Sequence, residues 1–326
     1  MKITVLGAGA WGTALGRMLA VRQHDVVLWD FFPETAEVIR KTGCNERYLP
    51  GIPLPPNLFA ETDAAKAVEG AELVVVAAVS KAFRSVSKVL GGFDGVVVSV
   101  TKGIEFETGA TMTDILKQNA PHARIVAMSG PTLAMEVAKG IPTAIVAASA
   151  DEQAAQTVQS LFHGPAFRVY TSHDVHGVEL GGALKNVIAI SAGVCDGLGF
   201  GDNSKAALVT RGVAEMRRLG VACGAKSETF TGLSGLGDLM VTCFSKLSRN
   251  RGFGERLGKG EKAADIVASM TAVAEGYPTA RAAHELALRK KVSTPVIDQV
   301  HAILYEGKNP QQALMDLTAR ESKAED

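Results

Sequence analysis

Cysteine is scarce and scattered. Cys44, Cys195, Cys223 and Cys243 form no C-x-x-C pair and have no histidine nearby at metal-ligand spacing, so neither a metal site nor a disulfide framework is expected. Free, buried thiols fit a reducing, cytoplasmic setting. An excess of one charge is missing too. The 34 Lys+Arg balance 34 Asp+Glu, which leaves no long-range field for nucleic acid or an anionic lipid surface, and no basic run supplies a local one. Uncharged stretches such as 140–150 are far shorter than the ~18–20 apolar residues of a membrane span, so no stable membrane insertion is expected. The uncharged run after Lys2 contains glycines at 7, 9, 12 and 16, which suit a turn better than the apolar helix of a secretory signal. Internal repeats and low-complexity tracts are absent as well, and the expected partner is a small molecule.

What is present is apolar residue in quantity: 326 residues of which 47% are hydrophobic, enough for about two domains with ordinary cores. Residues 2–6 form a short apolar run ending at Gly7, 10–20 have helical composition, and 24–30 (HDVVLWD) are rich in β-branched and aromatic residues ending in a carboxylate. That is strand, glycine turn, helix, strand. Further buried-strand candidates recur at 73–79, 96–100, 125–128 and 144–147. They are continuous apolar runs, as expected of parallel strands covered on both faces by helices. The segment 45–58 carries Pro50, Pro53, Pro55 and Pro56 and is expected to be a loop, either a lid or a surface flap. Beyond about residue 175 strand signals largely stop and helical spacing runs to the end. Residues 178–192 read as one buried helix, in which Gly181 and Gly182 imply close approach of another backbone. The expected architecture is an α/β N-terminal domain with a mainly parallel sheet at 1–176 and an all-α domain at 177–326, with a frayed polar tail at 321–326.

Gly7-Ala8-Gly9-Ala10-Trp11-Gly12 fits G-x-G-x-x-G, and Asp30 closes the next strand. The first glycine permits the tight turn, the second lets amides approach a pyrophosphate, and the third lets helix pack on strand, so a Rossmann-type dinucleotide site is expected. Asp30 should accept from the adenosine ribose hydroxyls, which favours NAD somewhat over NADP, both remaining open. Phe31 serves equally as an adenine contact or as an ordinary hydrophobic residue after a strand.

Lys102 and the Ser129-Gly130-Pro131-Thr132 turn each follow a predicted strand, where open α/β sheets place ligands; a solvated lysine and a capped turn fit the position equally well. Lys185-Asn186 interrupts an apolar helix, and burying an amine there is costly without partners, so a functional role outweighs a snorkelling lysine. The glycine-rich bend 232–238 ends in Asp238. Ser248-Arg249-Asn250-Arg251 opens a predicted helix with donors suited to a phosphate monoester. Alone these tetrapeptides would be capped, solvated helix starts; their co-occurrence with Lys102 and Lys185 gives them weight. The seven histidines are scattered, and His173 with His176 lacks supporting ligands, so no metal is expected.

The blocks GAGAWGTAL at 7–15, TKGIE at 101–105, SGPTLAMEVAKGIPTA at 129–144, GVELGGALKNVIAI at 177–190, GLGFGDNSKAALVTRG at 197–212, GLGDL at 235–239 and SRNRGFG at 248–254 occur in this order through nearly the whole chain. With them the chain resembles bacterial NAD(P)-dependent sn-glycerol-3-phosphate dehydrogenases. The resemblance implies reversible hydride transfer between NAD(P)H and dihydroxyacetone phosphate, giving sn-glycerol 3-phosphate for phospholipid synthesis in the cytoplasm, with a homodimer allowed. It implies Lys185 as the catalytic proton acceptor, with Lys102, Gly130, Thr132, Asp238, Ser248, Arg249 and Asn250 around the substrate. Cofactor contacts would come from Gly7, Gly9, Ala10, Trp11, Gly12, Asp30, Phe31, Lys102, Ala134, Arg249, Val273 and Glu275. Two departures from the family pattern stand out. Ala78-Val79-Ser80 lacks a proline, and Asp30-Phe31-Phe32 lacks a basic residue. Two other readings compete: a hydroxy-acid dehydrogenase with a Lys-Asn pair on a buried helix, and a non-catalytic NAD(H) sensor, which would need no amine beside an anion clamp.

Overall fold

The computed structural model describes residues 1–270 and 272–319; the tail at 321–326 lies outside the described residues. One sheet of eight strands spans the first half: β1 (Lys2–Leu6), β2 (Asp25–Trp29), β3 (Leu58–Glu61), β4 (Leu73–Val76), β5 (Val96–Ser99), β6 (Arg124–Ser129), β7 (Thr143–Ala148) and β8 (Phe167–Ser172). Their order is β3-β2-β1-β4-β5-β6-β7-β8. All neighbours run parallel except β6 and β7. The first six strands thus follow the doubly wound dinucleotide-binding order, with its switch point between β1 and β4.

Every residue of β4 (LVVV) and β5 (VVVS) is buried, because helices cover both faces. Side chains alternate between those faces: Val75 and Val98 join Ile3, Val5 and Leu28 in one core, while Val74, Val76 and Val97 join Leu6 and Phe83 in the other. Strands β3 and β8 were not expected. β8 (FRVYTS) alternates buried and exposed positions at the sheet edge, and β3 is a four-residue edge strand following the prolines. Neither contains the continuous apolar run that marks a strand covered on both faces.

Strand β8 ends at Ser172 and the central helix Val175–Gly197 begins three residues later. Its residues from Gly177 to Cys195 are all buried. It is the one helix among the described residues long and apolar enough to cross a membrane, and its apolar window lies wholly inside the protein. It does not stand out as an uncharged stretch because Glu179, Lys185 and Asp196 interrupt the run. Helices Asp202–Ala222, Arg249–Gly258, Gly276–Lys290 and Pro295–Tyr305 pack around it. Glu179 is satisfied by Thr113, whose N–H and hydroxyl donate at 2.9 and 2.5 Å. That pair ties the central helix to helix Met112–Asn119 of the sheet half.

The central helix and helix Arg249–Gly258 meet backbone to backbone. A Cβ on Gly193 would lie 2.0 Å from the Arg251 carbonyl oxygen, and one on Gly254 would lie 1.9 Å from that of Ile190. No other residue fits at either place, so this seam fixes the start of the second helix relative to Lys185 and Asn186.

Glu215 supports the same half from behind. Its carboxylate accepts from the N–H groups of Val296 and Ile297 at 2.8 and 3.2 Å, filling the orphan donors at the N-terminus of helix Pro295–Tyr305. Burial pushes its carboxyl from about 4.5 up to about 7, against the pull of those amides and of Arg218. The folded state therefore binds more protons than the unfolded one in this window, and Glu215 contributes stability below about pH 4.5 that is lost as pH rises through about 7. Removing the titration with Glu215→Gln should make the wild-type-minus-variant difference in unfolding free energy fall by roughly 1–3 kcal/mol between pH 4.5 and 7.5. Urea titrations at both pH values measure it; an equal difference at both would refute the assignment.

Candidate active site

The glycine turn between β1 and helix Ala10–Val21 is shaped by contact. Gly7 has φ +119°, and a Cβ there would stand 2.8 Å from the Ala77 carbonyl at the end of β4; a Cβ on Gly12 would stand 2.0 Å from the Gly7 oxygen. Gly9 caps the helix and faces open space, with no side chain bonded to the first-turn amides and no acidic residue in that turn. Uncapped N–H groups at the positive end of a helix dipole, opening onto a void, fit the pyrophosphate of a dinucleotide. Ala10 and Trp11 are half-buried at the helix start, and Trp11 packs against the sheet core.

Asp30 lies beneath this turn, only 8% exposed. One carboxylate oxygen accepts from Ala8 N and the other from Phe32 N, both at 2.9 Å. Burial pushes its pKa up while those amides pull it down. Asp30 therefore braces the loop with both oxygens, where its place in the sequence suggests a free ribose acceptor. Phe31 is 73% exposed and meets Phe32 edge-on.

The proline-rich loop is anchored, not a free flap. Asn45 donates to the Ala8 carbonyl and the Thr13 hydroxyl, both at 2.8 Å, and Arg17 donates to the Pro53 carbonyl at 3.0 Å. Leu49 is buried against Ala14, Trp11 and Ala134. Ala134 thus packs in the same cluster as Trp11 and Ala14 of the first helix.

At the junction of sheet half and helical half, three charged groups from distant regions of the chain converge. Lys185 Nζ lies 2.9 Å from Asp238 Oδ1, and Lys102 Nζ lies 2.7 Å from Asp238 Oδ2. Lys102 also donates to the Gly130 carbonyl at 2.9 Å and to the Thr132 hydroxyl at 3.4 Å. Lys185 donates to Thr242 Oγ1 at 2.7 Å, and that hydroxyl donates to the Asp238 carbonyl at 2.6 Å. Lys185 is 6% exposed. Burial lowers its pKa from 10.5 to about 8, with Asp238 opposing the fall and Lys102 adding to it. An amine near neutrality in water-poor surroundings can both give and take a proton around physiological pH.

Arg249 begins helix Arg249–Gly258. Solvent reaches its side chain, yet partial burial lowers its pKa, while Glu275 pulls it back. Its guanidinium makes no hydrogen bond within the described residues, which leaves its fork of donors for an anion. The neighbouring residues are more committed than expected. Ser248 caps the helix by accepting from Arg251 N at 3.2 Å. Asn250 donates to Asn186 Oδ1 and accepts from Gly276 N, both at 2.8 Å. Each therefore sets the local backbone first, with one Asn250 N–H left over.

Glu275 reaches back to the sheet half, where Ser80 N and Ser80 Oγ donate to it at 2.9 and 2.6 Å. This pair ties the loop after β4 to the helical half, and it shows the path of the loop that lacks the proline. Val273 is exposed two residues before Glu275. Of the expected residues, the structure gathers Lys102, Gly130, Thr132, Lys185 and Asp238 into one bonded network. Phe31 and Val273 lie outside that network. Thr242 and Ser80 were not expected. Thr242 stands four residues after Asp238, one helical turn on, and that spacing was a usable signal; Ser80 had none.

Two sequence-family models match the chain. The N-terminal model of NAD-dependent glycerol-3-phosphate dehydrogenase matches residues 2–155 and the C-terminal model matches 174–315. The chain belongs to the NAD-dependent glycerol-3-phosphate dehydrogenase family. Its relatives in that family include a glycerol-3-phosphate dehydrogenase (NAD(P)+) of Syntrophotalea carbinolica, 47% identical over 331 aligned positions that cover 100% of this chain and 99% of the relative. Another, of Anaeromyxobacter dehalogenans, is 48% identical and both chains are covered completely. Among solved structures, the glycerol-3-phosphate dehydrogenase of Coxiella burnetii superposes with a TM-score of 0.95 at 38% identity, covering 98% of this chain and 99% of that one. The sheet order and the helical second half are thus those of glycerol-3-phosphate dehydrogenases.

Proposed function

We propose that this chain interconverts dihydroxyacetone phosphate and sn-glycerol 3-phosphate with NAD(H) or NADP(H), residues 1–176 binding the dinucleotide and 177–326 the substrate. The observation that carries the reading is the buried amine of Lys185 on the central helix, held by Asp238 and Thr242, with the same Asp238 carboxylate binding Lys102 from the sheet half. The bound dinucleotide supplies or accepts the hydride at substrate C2. Lys185 as ammonium hydrogen-bonds the ketone oxygen and donates to the alkoxide as it forms; as free amine it takes the hydroxyl proton in the reverse direction. Asp238 and Thr242 hold the amine in place. Lys102, fixed by Gly130 and Thr132, adds a second positive charge that lowers the Lys185 pKa and steadies developing negative charge.

Arg249 grips the phosphate, so binding energy from a non-reacting group orients C2. Arg249→Ala should raise KM for dihydroxyacetone phosphate by about 10–100-fold, the worth of one charge-assisted hydrogen-bonding group. Steady-state rates at saturating NADH measure it, and an unchanged KM would move the phosphate site elsewhere. The free thiols suit the cytoplasm, where the product would feed phospholipid synthesis. The reading as a whole is tested by NADH and NADPH oxidation with dihydroxyacetone phosphate against a panel of 2-oxo acids. Turnover of a 2-oxo acid in preference to the triose phosphate would overturn it.

A further inference from the structure

The surroundings of Asp30 contain a cation that the sequence after β2 does not supply, since Phe31 and Phe32 follow it directly. Arg47 comes to the same place from the proline-rich loop. Its guanidinium lies 5.7 Å from the centre of the Phe32 ring and 5.1 Å from that of Tyr48, and its charge reaches the Asp30 carboxylate. Two anchors flank it. Asn45 is bonded to the glycine turn, and buried Leu49 returns its N–H to the Asn45 carbonyl at 2.8 Å. Arg47 thus sits at the crest of a pinned turn, not on a swinging flap.

Its donors are also free. No carboxylate pairs with Arg47 among the described residues, whereas Arg40 is spent on the Ala60 carbonyl and on Glu61. Asp30, the group that would repel a 2′-phosphate, is buried with an amide on each oxygen. In a doubly wound dinucleotide site the end of β2 lies beside the adenosine ribose. The usual negative discriminator is therefore muted there, and a planar cation stands over the ring of Phe32 close by.

We propose that Arg47 reads the 2′-position of the adenosine ribose, pairing its guanidinium with a 2′-phosphate so that the chain accepts NADP as well as NAD. The proposal rests on the dinucleotide reading above. A guanidinium is planar by resonance and fits phosphate with two parallel donors, and the Phe32 and Tyr48 rings beneath it orient it with no carboxylate bonded to it among the described residues. Arg47 is exposed and hydrogen-bonds nothing among the described residues, so replacing it leaves the core untouched.

The test uses calorimetric titration of the full chain with NADP+, NAD+ and 2′,5′-ADP, without substrate. Arg47→Ala should weaken NADP+ and 2′,5′-ADP by about 10–100-fold and NAD+ by less than about 2-fold, and Arg47→Lys should recover some of the loss. Raising salt should weaken NADP+ more than NAD+ in the wild type, and the two should converge in Arg47→Ala. Equal losses for NAD+ and NADP+, or none for either, would overturn the role of Arg47. Failure of the wild type to bind any of the three would instead remove the dinucleotide reading beneath it.

Discussion

Lys185→Ala is expected to lower kcat by about 10²–10⁴-fold in both directions, the usual range when a general acid or base is lost. Dinucleotide affinity should hardly change, because Lys185 bonds to Asp238 and Thr242 and to no residue of the glycine turn. The split between kcat and binding matters, since a merely structural lysine would move both through misfolding. The pH profile adds a second reading. With the amine lowered to about 8, oxidation of glycerol 3-phosphate needs the neutral form and should rise through about pH 8, while reduction of the ketone needs the ammonium and should fall over the same interval. Stopped-flow rates with deuterated substrate would locate the titration on the chemical step. Near-normal turnover in the variant removes Lys185 from the mechanism.

Asp238→Asn should have the largest effect on stability. One buried carboxylate, 1% exposed, answers two ammonium groups at 2.7 and 2.9 Å. Taking its charge away leaves both lysines uncompensated, and breaking such a buried pair costs about 3–5 kcal/mol. The sign of the pH dependence follows from the lysines. Lys185 without Asp238 titrates lower still in the folded state, while in the unfolded chain it keeps its ordinary value near 10.5. Between those two values the unfolded chain binds more protons, so the stability of the variant climbs with pH. The wild type gains in the same way only above about 8. The variant's deficit should therefore be greater at pH 6 than at pH 9 in urea unfolding. A deficit of equal size at both values would mean that Asp238 acts through packing and not through charge.

The amine could be read from the sequence because a lysine inside an apolar helix contradicts its surroundings. The sheet core was legible for a similar reason, since β4 and β5 are valine runs that only a sheet covered on both faces can hide. What could not be read were meetings between distant segments. Lys102 and Asp238 are 136 residues apart, and Ser80 meets Glu275 across 195. No local period encodes such a contact. Arg47 was hidden in the same way: a basic partner for the ribose is expected on the segment following β2, whereas the cation arrives from a loop beyond the next helix. Asp30 shows the opposite case. Its position was foreseen, and the burial that turned both its oxygens toward backbone amides was not.

The seam at Gly193 and Gly254 has a bearing on selectivity. Because main chain touches main chain there, no rotamer stands between the helix bearing the amine and the helix that opens with Arg249 to yield when a ligand enters. The two backbones that carry Lys185 and Arg249 are thereby held at a fixed separation, while the unbonded Arg249 side chain keeps its own rotamers. A substrate longer by one carbon would be met by another rotamer of Arg249 or by bending of the ligand, since the paired backbones leave no slack. Retuning toward longer polyol phosphates would accordingly fall to the reach of the Arg249 side chain and not to the helix that bears it.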